Sequence, residues 1–390
     1  MSHKKLLISG LKIYTETAVL EQGSVLIANG KIVRLGFDPH DPESASLEFP
    51  KNWHLVPGFI DIHVHGAAGS DAMDNDLAAM NNIARNLIKG GVTGFLATTV
   101  TKGESDMEQA LTTCRDYAKQ PAQDGAEFLG INLESSFLSL AKAGMQATKH
   151  LIAPNIDLFA KWQKLSGDLI KIVTVAPELP GALEFIKYLV KHKVIASIGH
   201  TDADYDMACQ AIACGASHAT HLFNAMRAIA HRSPNAITAL LLDDNVTVEL
   251  IADGVHLHPA ILQLALKLKG EAKIILISDA MRAQGLNDGV YEFGGQDIIV
   301  KDQIAKLADG TLAGSTLRLD QALRNMMHFT SCSLQTALKM ITENPAKELG
   351  VFAQKGSIAC GKDADLVVLD DNYQVKLVIK KGEIIQHATT

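Results

Sequence analysis

The sequence predicts an α/β fold: a (β/α)8 barrel of the TIM type, with a small β-sandwich domain formed by both chain termini. Three observations predict it. Eight short apolar runs recur through the middle of the chain, separated by segments of helix length. Both ends alternate apolar and polar residues around tight-turn signals. No Gly-rich dinucleotide fingerprint or Walker sequence interrupts the middle, so neither nucleotide-binding α/β fold gains support.

At the N-terminus the alternation covers residues 6–13 and 24–27, and Asn29-Gly30 marks a tight turn before residues 32–35, the pattern of hairpins. The barrel runs follow at residues 59–65, 94–100, 128–135, 171–177, 194–200, 218–224, 247–253 and 273–279. Between them, residues 76–89, 183–192, 203–214 and 259–268 carry the apolar spacing of amphipathic helices. The C-terminus returns to strands at residues 364–369, 375–379 and 383–385, with Lys381-Gly382 as a turn. Domain termini often lie close together. The two ends are therefore expected to pair in one small sheet, with residues 1–55 and 352–390 as a split β-sandwich domain and residues 56–351 as the barrel.

A chain of 390 residues suits one large barrel with a smaller attachment. Hydrophobic residues make up 47% and charged residues 20%, an ordinary globular balance. The net charge of -7 weighs against a nucleic-acid surface built on phosphate attraction and against polybasic membrane docking. No stretch is long and apolar enough to span a bilayer, and the basic start is not followed by an apolar signal region. The five cysteines are scattered without metal-knuckle or redox spacing, which predicts buried reduced thiols. The expected setting is the cytoplasm, with no nucleic-acid or membrane partner.

The ligand-type residues fall at the C-terminal ends of the eight runs, which in a barrel form the catalytic face. The first run ends Asp61-Ile62-His63-Val64-His65, and period-two alternation puts both histidines on one side of the strand. Glu134 ends the third run, His200 the fifth and Asp279 the eighth, while the sixth contains His218 and His221. Imidazole and carboxylate at this density suit Zn, Fe or Mn. A lone barrel histidine is more often a hydrogen-bonded structural residue than a ligand, and His218 keeps that reading. For His63 and His65 the balance reverses, because each would otherwise need its own buried polar partner.

In order and spacing, these residues resemble the N-acetylglucosamine-6-phosphate deacetylases of the amidohydrolase superfamily over nearly the full chain. The matching stretches include Pro57-Gly58-Phe59-Ile60-Asp61, Gly91-Val92-Thr93, Leu129-Gly130 to Glu134, Gly199-His200 and Thr220-His221-Leu222-Phe223-Asn224-Ala225-Met226. Further matches are Asp253-Gly254-Val255-His256, Ser278-Asp279-Ala280 and Leu312-Ala313-Gly314-Ser315. The resemblance implies that Glu134, His200 and His221 hold the main metal and that Asp279 is the catalytic acid/base. Where both first-strand histidines are present, as His63 and His65 are here, it implies a second metal. One or two divalent transition-metal ions are expected, zinc first, with iron, manganese or cobalt as alternatives. Lys171, at the start of the fourth run, faces the wrong way for the carboxylated-lysine bridge of other superfamily members, so Glu134 is the bridge candidate. Substrate contacts are implied for Asn224, the Ala225 backbone, Arg232 and His256, with a loop at Leu312 and Ala313 closing over the sugar. Arg232 is expected from the neighbouring subunit of a homodimer, and the partner is a small amino-sugar phosphate.

Two departures lie near the third run. Ser135-Ser136-Phe137 stands where the family usually has Gly-Pro-Phe. Lys142-Ala143-Gly144-Met145-Gln146 replaces a segment whose histidine contacts the substrate carbonyl, leaving Gln146 with a neutral amide that donates but cannot titrate. The expected reaction is hydrolysis of the acetamide of N-acetylglucosamine 6-phosphate. The galactosamine epimer and a weakly active sugar-phosphate-binding homologue are the alternatives.

Overall fold

The computed structural model describes residues 5–38 and 40–387. Its centre is an eight-stranded parallel sheet whose strands neighbour one another in chain order. They are Phe59–Val64, Val92–Thr98, Glu127–Leu133, Ile170–Val175, Ile195–Ile198, His218–Ala219, Thr247–Ile251 and Ile274–Ile277. Helices cover the outside and side chains fill the inside, so strand residues are buried on both faces and read as nearly continuous apolar runs. The ring closes just beyond the last strand. Asp279 N donates to His63 O at 2.9 Å and His65 N donates to Ala280 O at 2.9 Å, joining the eighth strand to the first.

The helices start where their caps dictate. Asp76 accepts from Ala78 N before Leu77–Leu87, Asp204 from Met207 N before Tyr205–Ala213, and Pro259 opens Pro259–Lys269 at a position that needs no amide. Each turns its apolar stripe onto the barrel.

The chain ends form the expected small β-sandwich, as two sheets, and only the six-stranded one pairs strands from both ends. Residues 6–13 break at Gly10, which has φ of +94°, into Lys5–Ser9 and Lys12–Tyr14, and the halves join different sheets. Lys5–Ser9 pairs with Ser24–Ala28 and Ser44–Glu48 in a four-stranded sheet. Lys12–Tyr14 and His54–Pro57 join Leu366–Leu369, Val375–Lys380 and Glu383–His387 in a six-stranded sheet. Leu6, Ile8, Val25 and Ile27 of the first sheet and Ile13, Leu55, Val368 and Ile379 of the second share one apolar core. Asn29-Gly30 and Lys381-Gly382 both take the left-handed backbone of tight hairpin turns.

A three-stranded antiparallel sheet, Gly289–Phe293, Gln296–Lys301 and Ile304–Lys306, stands between the eighth barrel strand and helix Leu319–Thr330. Sequence reading did not anticipate it. The thiols also differ from expectation: Cys114 is buried, Cys209, Cys214 and Cys332 are partly buried, and Cys360 is exposed, all unpaired.

Gly91, which leads into the second barrel strand, has φ of +81°, and a Cβ there would stand 2.7 Å from the Phe59 ring. Gly91→Ala should lower the unfolding free energy by about 1–3 kcal/mol in urea titrations, from left-handed strain and the ring clash together. Unchanged stability would mean that the neighbouring backbone relaxes at no cost.

Candidate active site

The barrel strands deliver the expected ligand residues to one mouth. His63 lies within the first strand and His65 just after it; Glu134 follows the third strand by one residue. His200, His221 and Asp279 each lie two residues past the fifth, sixth and eighth strands. These last three take positive φ, 45°, 27° and 47°, which non-glycine residues seldom adopt. The local bonds hold them there. Ser139 N donates to His200 O and Ser315 N to Asp279 O, each bringing a neighbouring loop onto a ligand turn, and Asn224 N donates to His221 O within the turn itself.

Two groups result, His63, His65 and Asp279, and Glu134, His200 and His221, with ligand atoms within each group no more than 4.8 Å apart. Glu134 joins them. Its Oε1 lies 2.8 Å from His200 Nε2 and 2.9 Å from His221 Nε2, and its Oε2 lies 3.5 Å from His63 Nε2 and 3.3 Å from His65 Nε2. Asp279 Oδ1 stands 3.4 Å and 3.2 Å from the same two first-strand nitrogens. Lys171, by contrast, reaches the Asp168 carbonyl on the outside.

The residues fit a divalent cation. His200 Nδ1 faces the Lys142 carbonyl at 2.9 Å, and a carbonyl only accepts, so Nδ1 carries a proton and Nε2 is the nitrogen that can be offered to a metal ion. His63 Nδ1 faces the Glu249 carboxylate at 2.9 Å with the same consequence. His63 Nε2, fully buried, has no hydrogen-bond partner among the described residues. Such oriented imidazoles are the usual setting of metal ligands.

Charge is balanced within the cluster. Burial opposes ionisation of Glu134, yet His200, His221 and His63 hold its carboxyl well below the usual carboxylate range. Burial likewise opposes the charge on Asp279, and His63 and His65 outweigh it and keep Asp279 ionised. Conversely, Asp279 and Glu134 overcome burial and push His65 up to about 9.

A cavity of about 320 Å³ opens above these groups, lined among others by Gln146, Asn224, Ala225, His256 and Leu312. Gln146 Oε1 accepts from Thr101 N at 2.8 Å; a backbone amide only donates, so this contact fixes the side-chain amide with Nε2 as its free donor. His256 Nδ1 is 2.6 Å from Asp253 Oδ2, and against burial that carboxylate raises the imidazole pKa. Ala313 is buried behind the wall, its amide bonded to Ala305 O. Arg232 is not brought to the cavity of its own chain: it stands on an exposed loop after the sixth strand. Ser135 and Ser136 are buried, with Ser135 O accepting from Thr101 Oγ1 and Ser136 O from Ile152 N.

Three residues escaped the sequence reading. Glu249 is a fully buried carboxylate in the seventh strand, and a charge amid Val248, Leu250 and Ile251 was its visible signal. Phe293, from the unanticipated sheet, packs edge-on against His65 with centroids 5.0 Å apart. Thr101, which fixes Gln146, left no signal in the sequence.

The amidohydrolase family model matches residues 54–385. An N-acetylglucosamine-6-phosphate deacetylase from Bacillus subtilis (strain 168) is 45% identical over 98% of this chain and 97% of its own. An N-acetylgalactosamine-6-phosphate deacetylase from Escherichia coli O157:H7 is 33% identical over 96% of this chain and 97% of its own. Among solved structures, a mutant N-acetyl-D-glucosamine-6-phosphate deacetylase from Mycobacterium smegmatis in complex with N-acetyl-D-glucosamine-6-phosphate superposes with a TM-score of 0.92. It is 33% identical, covering 99% of this chain and 100% of that one.

Because a cation must displace protons from imidazoles held up by Glu134 and Asp279, with His65 at about 9, metal affinity should climb between pH 6 and 9. The slope should be roughly tenfold per pH unit for each proton displaced, with matching proton release in calorimetry. An affinity flat across that range would contradict the protonation of these histidines.

Proposed function

The chain belongs to the amidohydrolase family, among its N-acetylglucosamine-6-phosphate deacetylases, and from that premise we propose that it hydrolyses N-acetylglucosamine 6-phosphate to glucosamine 6-phosphate and acetate. The observation that carries this reading is Glu134, one carboxylate with an oxygen toward each histidine group, beneath a cavity that also admits Asp279. The gluco epimer is preferred because the galactosamine-named relative is the more distant, 33% against 45% identical.

Glu134, His200 and His221 would hold the main ion, and His63, His65 and Asp279 a second, with zinc as the proposed metal and Glu134 between them. When bound, a divalent ion supplies Lewis acidity toward the acetamide carbonyl and lowers the pKa of a coordinated water to about 7. Asp279, ionised in this site, takes the proton of the attacking water on its carboxylate and returns it to the departing amine nitrogen. Gln146, its oxygen committed to Thr101 N, donates Nε2–H to the carbonyl oxygen as negative charge grows there. Asn224, the Ala225 amide and His256 orient the sugar, and the loop through Leu312 and Ala313 closes over it. The phosphate pairs with Arg232 of the partner subunit in a homodimer, since Arg232 lines no part of this cavity in its own chain. An arginine fork suits a phosphate through its planar, permanently charged donors. Among the described residues no helix is long and apolar enough to cross a membrane, and with unpaired thiols this supports placement in the cytoplasm.

Acetate release should be found with N-acetylglucosamine 6-phosphate and be slower with the galactosamine epimer; the reverse order would reassign the substrate. Asp279→Asn should lower kcat roughly 100- to 10000-fold while KM changes little, because proton transfer is lost and shape is kept. Near-normal turnover would remove Asp279 from the acid/base role. Gln146→Glu keeps an acceptor for Thr101 N and loses the donor, so kcat should drop roughly 10- to 1000-fold. Full turnover in that variant would place the carbonyl contact on another group.

A further inference from the structure

Below the ligand groups, a line of buried charges runs through the barrel that the reaction does not use directly. Glu249 Oε2 accepts from His63 Nδ1 at 2.9 Å and from His221 N at 3.0 Å, and its Oε1 lies 3.1 Å from His218 Nε2. The other nitrogen of His218, Nδ1, lies 3.0 Å from Glu348 Oε1, on the helix Glu343–Glu348. His218 opens the sixth strand, so this line begins at the end of the barrel opposite the mouth. Both His218 and Glu249 are fully buried, and the Glu348 side chain is nearly so, with 14% exposed.

Carboxylates accept and do not donate, so a histidine with a carboxylate on each ring nitrogen needs a proton on both. His218 is then an imidazolium. Burial opposes that charge, and the two glutamates outweigh it, pushing the group up to about 9. Glu249 in turn receives three donors, from His218, His63 and the His221 amide, which commits it to the ionised form. With Glu249 committed, His63 Nδ1 keeps its proton, and Nε2, which faces Glu134 and Asp279, is the one nitrogen that can give up its proton to a metal ion.

We propose that Glu348, His218 and Glu249 form a positioning relay that fixes the His63 tautomer and anchors the His221 turn, making His218 an acting part of the metal site. His218 and Glu348 touch no ligand atom themselves; they act through Glu249. The proposal rests on reading His63 as a ligand, and its test does not depend on which substrate is hydrolysed.

Imidazole nitrogen NMR on histidine-labelled, zinc-loaded protein reads the protons directly. His218 should carry two ring protons and His63 a proton on Nδ1 alone. A single proton on His218, or a proton on His63 Nε2, would overturn the relay. Zinc titrations of the metal-free protein, followed at His63 and His200, supply the second readout. Glu249→Gln should raise the zinc concentration needed to move the His63 signals by roughly 10- to 100-fold, as outer-shell changes do. Glu348→Gln, at the less buried end, should raise it by a smaller factor of roughly 3- to 10-fold, while His200, held by the Lys142 carbonyl, responds as before. Equal shifts at His63 and His200 would indicate general loosening, and no shift at His63 would indicate no relay; either result overturns the proposal. If the NMR pattern is as expected and acetate release is absent, the relay stands and the deacetylase reading falls.

Discussion

The constraint on which the site depends is the seating of one carboxylate, Glu134, against four imidazoles. Four of the other five ligand-group side chains meet at its two oxygens, and Asp279 reaches the same first-strand histidines. A buried carboxylate is unfavourable unless it is paired. Here the pairing comes from strands one, five and six, so the third strand must sit at one height relative to all of them. The barrel supplies that height by parallel register, and the apolar faces that fix the register lie between the strands and the outer helices.

The residues that point inward are held by bonds that also close the ring. His63 O receives the Asp279 amide, so the seam of the barrel and the first-strand ligand group are one construction. Left-handed backbone at His200, His221 and Asp279 follows from the same geometry: each strand ends two residues earlier, and its chain turns at once to aim the side chain at the axis. Strain of this kind, of order 1–3 kcal/mol per residue, persists only where the surroundings over-determine it.

The barrel was legible because burial on both faces writes a parallel strand as an apolar run, and the six ligand residues were legible because they fall within or at the ends of such runs. The sheet at 289–306 was not, although Gly294-Gly295 and the alternation of Asp297, Ile298, Ile299 and Val300 carried a weak hairpin pattern. Short exposed strands bury little and leave little periodicity. Residues 6–13 alternate straight through Gly10, and only the fold shows that this glycine splits them into two strands of different sheets. Gln146 was located by its segment, but the contact that sets its orientation is tertiary: the amide of Thr101, 45 positions away, has no sequence signature. Glu249 was visible as a charge inside an apolar strand, and only the fold disclosed its three donors.

The seam has a consequence for how the molecule comes into being. The first-strand histidines leave the ribosome more than 200 positions before Asp279, and His54–Pro57 waits longer still for its partner Leu366–Leu369. A nascent chain therefore carries an incomplete ligand set for most of its synthesis, and His54–Pro57 lacks its antiparallel neighbour until the last part of the chain emerges, whereas the four-stranded sheet draws only on residues 5–48. Long-range pairing of this kind slows folding. The earliest point at which both ligand groups can exist is the closing of the eighth strand onto the first, so the site can be assembled only after synthesis has passed Asp279 and Ala280.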